Sequence, residues 1–341
     1  MALPFQKLPF LVMQNILQII GFLDLFLLSC TSSKTKRIVK NVLNLRKHEM
    51  VVHFQDSLKI MIQTVINQNH CEAIWSDNKN EQGNEVFYVN IGAVDRVPSV
   101  YTGSEEDHDK LILTTYWLDR MQSFKVLYDV LVDVFNATID GVMMDLNEVP
   151  KHFVENHQEL FDWIEDRFPT LPTFRIKGRC SFQSYIWLMK TAKARNSLQF
   201  AMEPTEYPEN QETVSLEAEK VEIHYGKWMK IKDIEAINAQ AITIVDISLT
   251  DNEINALLKN LGAFKEKSDV KKLTLEFFRA ADQEVVLEGL NAINEDEKKP
   301  ADCFNQWSFV LSNGEKCTVI YARYHDDMND SMFGFDILIG N

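Results

Sequence analysis

Apolar side chains are densest near the start of the chain: between Leu8 and Ser29, fifteen of twenty-two residues are large and apolar, against 45% overall. Val12, Ile16 and Ile20 stand four apart with Leu17 beside them, the spacing of one helix face. Pro9 suits a first helical turn, where its missing N–H would be unpaired anyway, and Gly21 suits a stop. Asp24 is placed to cap a second short helix, Leu25 to Cys30. Ser32 is placed to cap a third, in which Ile38, Val42 and Leu45 make an apolar stripe beneath Lys34, Lys36, Arg37 and Lys40. Three helices this short enclose little volume. They cannot hide all of Phe10, Leu11, Met13, Ile19, Phe22, Leu23 and Phe26, so the excess must meet a partner or a bilayer.

Downstream the pattern loosens. Arg46 to Gln68 predicts a strand and then a short helix; Asn67 to Glu85 is polar and reads as a loop. Glu85 to Val94 alternates as a strand, and a second polar loop carries Pro98, Gly103 and the acidic run Ser104 to Asp109. Residues 110–135 predict one amphipathic helix, with Tyr116, Trp117, Met121, Phe124, Leu127, Tyr128, Leu131 and Phe135 recurring at three and four. Short extended runs then alternate with helices: Asp140 to Leu146, Thr173 to Lys177, Lys220 to Tyr225, Ala241 to Ser248 and Lys272 to Phe277. Their centres are roughly 32, 47, 23 and 29 residues apart, and two of these gaps approach the period of leucine-rich repeats. The longest gap holds the polar insertion Pro204 to Glu219, and no Leu-x-x-Leu-x-Leu frame recurs. The pattern predicts an irregular leucine-rich-repeat-like β/α stack, with a compact α/β domain as the alternative.

The most sharply specified piece is Thr250 to Gly262. Thr250-x-x-Glu253 is a capping box, Ile254, Leu257, Leu258 and Leu261 follow at helical spacing, and Gly262 is placed to end the helix. Towards the C-terminus, Trp307 to Ser312 and Lys316 to Tyr321 flank Asn313-Gly314 as a hairpin flanks its turn. Phe333 to Ile339 reads as a last strand, and Asn294 to Asp302 as the loop before the hairpin.

Charge changes this picture. Residues 1–50 hold seven Lys/Arg against two Asp/Glu, whereas the other 291 hold 28 against 48. A body that acidic repels phosphate backbones and anionic lipid heads, which excludes nucleic acid as a natural ligand. Five scattered cysteines, Cys30, Cys71, Cys180, Cys303 and Cys317, imply free thiols in a reducing compartment rather than a disulfide framework or a zinc site. The composition is otherwise that of a soluble globular protein. A membrane anchor over residues 10–28 is long enough to span, but Gln14, Asn15, Gln18 and Asp24 oppose it. No basic start or small-residue cleavage site makes the run a secretion signal.

Candidate chemistry is thin. There is no phosphate-cradling glycine loop, no Gly-x-Ser-x-Gly elbow and no His-Glu-x-x-His helix. His152 and His157 are five apart and diverge on a helix. His325-Asp326-Asp327 reads as an acidic loop and Cys71 beside His70 as part of an exposed one; Ser104 before Glu105, Glu106 and Asp107 reads as solvated. The expectation is therefore no catalytic residue, no metal and no cofactor.

Leu8-Pro9, Val12, Ile16-Leu17, Ile20, Asp24-Leu25, Leu28-Ser29 and the basic third helix together resemble an F-box. That resemblance implies docking on the Skp adaptor of a cullin-based (SCF) ubiquitin ligase through Leu8, Pro9, Val12, Ile16, Leu17, Ile20, Leu25 and Leu28. Further on, Ile247-x-Leu249-Thr250-Asp251-x-x-Ile254-Asn255-x-Leu257-Leu258-Lys259 resembles the type 2 F-box-associated domain of the expanded nematode F-box family. Trp228, Lys272-Leu273-x-Leu275 and Leu287-Glu288-Gly289-Leu290 fit it, while Leu261 and Ala239-Gln240 depart from it. The implied architecture is α+β: an F-box over 4–47, a connecting region over 48–135, and a β/α body over 136–341 ending in a hairpin. The implied role is an intracellular, non-catalytic substrate receptor, cytoplasmic or nuclear, holding a target protein on the C-terminal body. A membrane-tethered scaffold and an interaction protein with no ligase role are the rivals.

Overall fold

The computed structural model describes residues 8–43, 48–54, 58–64, 71–77, 86–103, 111–147, 157–168, 171–207, 212–295, 303–325 and 331–340. Two compact units divide between Phe168 and Pro169.

Unit one opens with helices α1 (Phe10–Ile19), α2 (Phe22–Cys30) and α3 (Ser33–Leu43). Strands β1 (His48–Phe54), β2 (Leu58–Thr64), β3 (Cys71–Asp77), β4 (Phe87–Ile91), β5 (Val94–Gly103) and β6 (Leu111–Tyr116) follow. Helix α4 (Arg120–Phe135), strand β7 (Thr138–Asp145) and helix α5 (His157–Arg167) complete it. The sheet runs β7-β1-β2-β3-β6-β5-β4, with β1–β7 and β3–β6 parallel and the other pairs antiparallel. The sequence boundary at residue 135 runs through this unit, because β7 pairs with β1 from beyond it.

Several segments differ from their sequence reading. Leu58–Thr64 is a strand rather than a short helix, and Cys71–Asp77 is a strand inside the expected loop. Val94–Gly103 is a strand despite Pro98. Its ladder with β6 begins at Ser99, so the N–H that Pro98 lacks interrupts no pairing on that side. The expected single helix over 110–135 is β6 followed by α4. Thr114 and Thr115 are β-branched, and the Thr115 hydroxyl accepts from the Trp117 indole N–H at 2.9 Å beneath a buried surface. Asp119 then starts the helix, its side chain accepting from Gln122 N at 3.1 Å. Against α4 lies an aromatic cluster: Phe124, Tyr128, Trp163 and Phe168 meet edge to face at centroid distances of 4.6–5.5 Å.

Unit two contains β8 (Thr173–Cys180), α6 (Phe182–Thr191), β9 (Ser197–Pro204), β10 (Leu216–Glu217), β11 (Lys220–Ile223), α7 (Ile231–Ile234), β12 (Ile237–Asn238) and β13 (Ala241–Ile244). Then come α8 (Asp251–Lys267), β14 (Lys272–Phe277), α9 (Gln283–Leu287), β15 (Ile293–Asn294), β16 (Cys303–Val310), β17 (Lys316–His325) and β18 (Ser331–Ile339). β8, β9, β11, β13 and β14 lie side by side in chain order, every neighbouring pair parallel. Their first residues, 173, 197, 220, 241 and 272, are 24, 23, 21 and 31 apart. The small strands β10 and β12 pair in parallel on their own.

β9 fills the gap that the sequence reading left open. Leu198, Phe200 and Met202 are buried and their neighbours half-buried, a period of two that polar Gln199 and Glu203 conceal from any search for continuous apolar runs. The entry to these strands repeats. The Pro172 carbonyl accepts from Asn196 N and Ser197 N at 2.9 and 3.1 Å; the Glu219 carbonyl accepts from Gln240 N and Ala241 N at 3.0 and 3.1 Å. The Gln240 carbonyl in turn accepts from Lys271 N and Lys272 N at 2.8 and 3.0 Å.

The capping box of α8 is present: Thr250 N donates to Glu253 Oε2 at 2.8 Å, and Glu253 N donates to Thr250 Oγ1 at 3.3 Å. The Thr250 backbone N–H holds the Glu253 carboxyl below its ordinary range. Gly262 does not end the helix, which continues to Lys267. A Cβ there would stand 2.2 Å from Ser312 Oγ and 3.2 Å from Ser312 N, so Gly262 permits close packing rather than termination. The chain closes on three antiparallel strands rather than on one hairpin. β16 and β17 join through Leu311–Glu315, where Gly314 has φ +87°, and β18 pairs with β17 on one side and β14 on the other. Fully buried Phe200, Phe277 and Phe335 from the strands and Tyr185, Leu257 and Leu261 from the helices make its core.

Candidate functional site

The three N-terminal helices carry the candidate docking residues. Pro9 is the N-cap of α1, and its carbonyl accepts from Met13 N at 3.0 Å. Ile20 is extended at φ −68°, ψ 139°, and Gly21 at φ −63°, ψ 161° is the N-cap of α2. These two extended residues break the apolar run, so no left-handed glycine is needed. Asp24 lies in the first turn of α2 instead of capping it, where the helix dipole still favours its charge. Ser32 caps α3, accepting from Thr35 N at 3.1 Å.

The eight expected adaptor residues fall into different environments. Leu17 is fully buried and Leu25 is 2% exposed, so both belong to the core of unit one. Leu8, Ile16, Ile20 and Leu28 are half-buried; Pro9 and Val12 are exposed. Leu11 at 71% and Ile19 at 85% are far more exposed than Val12 at 42%, although the sequence names them only as part of the excess. Leu11, Val12 and Ile19 lie within about 100° of arc on α1 and form one apolar stripe open to solvent. The spacing of seven between Val12 and Ile19 was the signal that could have found it.

Much of the expected surplus is hidden by the chain itself. Phe22, Leu23 and Phe26 are buried, and the ring of Phe22 lies 4.6 Å from that of Phe135 in α4. α2 packs on β3, β4 and β6, and α3 on α4. On α3 the buried positions are Thr35, Val39 and Val42, with Ile38 half-buried; Leu45 lies outside the described residues. Above them, Lys36 Nζ and Lys40 Nζ reach the two oxygens of Asp133 at 2.6 and 2.7 Å. Lys36 first, and then Lys40, hold the Asp133 carboxyl below the usual carboxylate range. Lys34 and Arg37 are exposed. Burial pushes the Cys30 thiol up to about 11, which makes it a poor nucleophile.

Among the described residues no three His, Cys, Asp or Glu side chains gather to hold a metal ion. Cys71 opens β3 rather than an exposed loop. His70, His152, Asp326, Asp327 and the run Ser104 to Asp109 lie outside the described residues. No described helix is long and apolar enough to cross a membrane.

Set beside known families, residues 5–47 match the model of the F-box domain. No curated protein and no solved structure matches the chain.

Proposed function

We propose that this protein is the substrate receptor of an SCF-type cullin ubiquitin ligase. The observation that carries the reading is a coincidence: the F-box match spans the helices that expose the stripe Leu11, Val12 and Ile19. That stripe, with Pro9 and the accessible parts of Leu8, Ile16, Ile20 and Leu28, is the surface for the Skp adaptor, while Leu17 and Leu25 support it from beneath. Unit two holds the target. The chain contributes proximity rather than bond-making: tethering raises the effective concentration of a target lysine near the conjugating enzyme.

The ordered parallel strands and their repeated entry turns support reading unit two as a leucine-rich-repeat-like stack. The stretch from Ile247 to Lys259, which forms the cap and first turns of α8, supports a type 2 F-box-associated assignment for it. Against the membrane-tethered rival stands the break at Ile20 and Gly21, which divides the apolar run into helices of ten and nine residues.

Adaptor pull-down with the full chain tests the reading. Leu8→Ala with Pro9→Ala, and separately Leu11→Asp with Ile19→Asp, abolish capture while the circular dichroism and melting of the chain stay unchanged. Undiminished capture by both double variants sinks it.

A further inference from the structure

The entry turns of the parallel strands in unit two follow one another along a ladder of main-chain bonds. Arg195 N donates to the Leu171 carbonyl at 2.8 Å, Glu219 N to that of Arg195 at 2.9 Å, and Gln240 N to that of Glu219 at 3.0 Å. Arg195, Glu219 and Gln240 thus stand one strand step apart, about 4.8 Å. Each follows an exposed polar residue and a buried alanine: Lys193-Ala194, Glu217-Ala218 and Asn238-Ala239.

These turns, with the end of α6 and with Asp269 before β14, line a cavity of about 580 Å³. Its buried lining is apolar, with Leu171, Met189 and Leu216 beside the three alanines. Its exposed lining carries both signs of charge, sorted by turn. Lys190, Lys193 and Arg195 lie at the end of α6 and the turn that follows, Glu217 and Glu219 on the next turn, and Asp269 further along. Lys190 is taken by Glu212, which lies outside the lining. Arg195 Nε donates at 3.0 Å to Asn196 Oδ1, a neutral partner. Among the described residues no ion pair reaches Arg195, Glu217, Glu219 or Asp269, although Arg195 and Glu219 are neighbours on the ladder.

Resting on the receptor reading above, we propose that this cavity takes the end of the target chain: a C-terminal arginine or lysine whose α-carboxylate pairs with Arg195 and whose side-chain cation pairs with Glu219. A guanidinium keeps donors beyond Nε, and its fork matches a carboxylate. Opposite charges on successive turns suit a residue that carries both. A purely basic or purely acidic segment would meet like charge at one turn or the other. The volume has room for a few residues rather than a long segment, which favours a chain end with the apolar lining against its body.

The test uses the full chain and three peptides with a fluorophore at the N-terminus: Gly-Ala-Ala-Arg with a free carboxylate, the same peptide amidated, and Gly-Ala-Ala-Ala with a free carboxylate. The ladder is made by main-chain atoms, so Arg195→Gln and Glu219→Gln change exposed side chains and spare it. Arg195→Gln weakens binding of the free arginine-ended peptide about five- to tenfold and of the amidated one less than about twofold. Glu219→Gln weakens the free arginine-ended peptide about five- to tenfold and the alanine-ended one less than about twofold. Glu288→Gln, exposed and following α9, shifts all three by less than about twofold. The proposal is overturned by no binding of the first peptide, by equal binding of acid and amide, or by either variant weakening both members of its pair alike. As much weakening by Glu288→Gln, or full displacement of the probe by free arginine at equal concentration, overturns it too. Adaptor capture is read separately, so failure here leaves the ligase reading standing or falling on its own test.

Discussion

The ring of Phe22 meets the ring of Phe135 at a centroid distance of 4.6 Å and an interplanar angle of 52°. One residue belongs to the second N-terminal helix and the other ends α4, so the contact spans more than a hundred residues of sequence. Both rings are buried, Phe22 at 6% and Phe135 at 0% exposure. Phe22→Ala should therefore cost about 3–5 kcal/mol, read from chemical denaturation of the full chain. A fragment ending at residue 50 loses Phe135, β3, β4 and β6 together, and is expected to give no cooperative melt. A sharp melt of that fragment would show that the helices do not depend on the body.

Leu17 and Ile19 are two residues apart and do different work. Leu17→Ala empties a fully buried position and should destabilise unit one by about 2–5 kcal/mol. Ile19→Asp removes an 85% exposed side chain and should leave the unfolding midpoint within about 0.5 kcal/mol of wild type. Denaturation curves of the two variants, run beside adaptor capture, separate support from docking.

Gly262→Ala would normally strengthen a helix by about 1 kcal/mol. Here the added methyl meets Ser312 Oγ at 2.2 Å and the Ser312 backbone N at 3.2 Å. The expected outcome is a net loss of about 1–3 kcal/mol, partly restored by Ser312→Ala. A gain in melting temperature for Gly262→Ala alone would contradict the packing described.

Donation from His224, the largest cause, holds the Glu222 carboxyl down from 4.5 to about 2, with Lys220 and Gln199 adding to it. The folded chain thus keeps this carboxylate charged where the unfolded chain protonates it. Its contribution is complete above about pH 4.5 and fades as pH falls towards 2. Glu222→Gln should lower stability at neutral pH and flatten the acid limb of the wild-type curve. Parallel acid limbs for the two proteins would refute that assignment.

Sequence patterns located what is local and missed what depends on neighbours. The capping box at Thr250 and Glu253 and the strand Lys272–Phe277 lie where the pattern puts them, since both are written in a few adjacent residues. β5 was hidden by Pro98, whose tolerance depends on where β6 begins to pair. Gly262 looked like a helix end because its reason for being glycine, Ser312, is fifty residues away. The candidate docking face suffered in the same way. Leu17 and Val12 are equally apolar in sequence, and only packing against the body makes one core and the other surface.

The chain-order parallel stack from Thr173 to Phe277 has a consequence for how unit two assembles. Each strand finds its partner 21 to 31 residues along the chain, so early pairing asks for little chain closure and can zip forward from any nucleus. β18 breaks that economy: it must travel back to β14 from more than fifty residues downstream. Among the described parallel and antiparallel pairings of β14, this one closes the longer stretch of chain and is expected to form the more slowly, leaving the edge of β14 open until β18 docks.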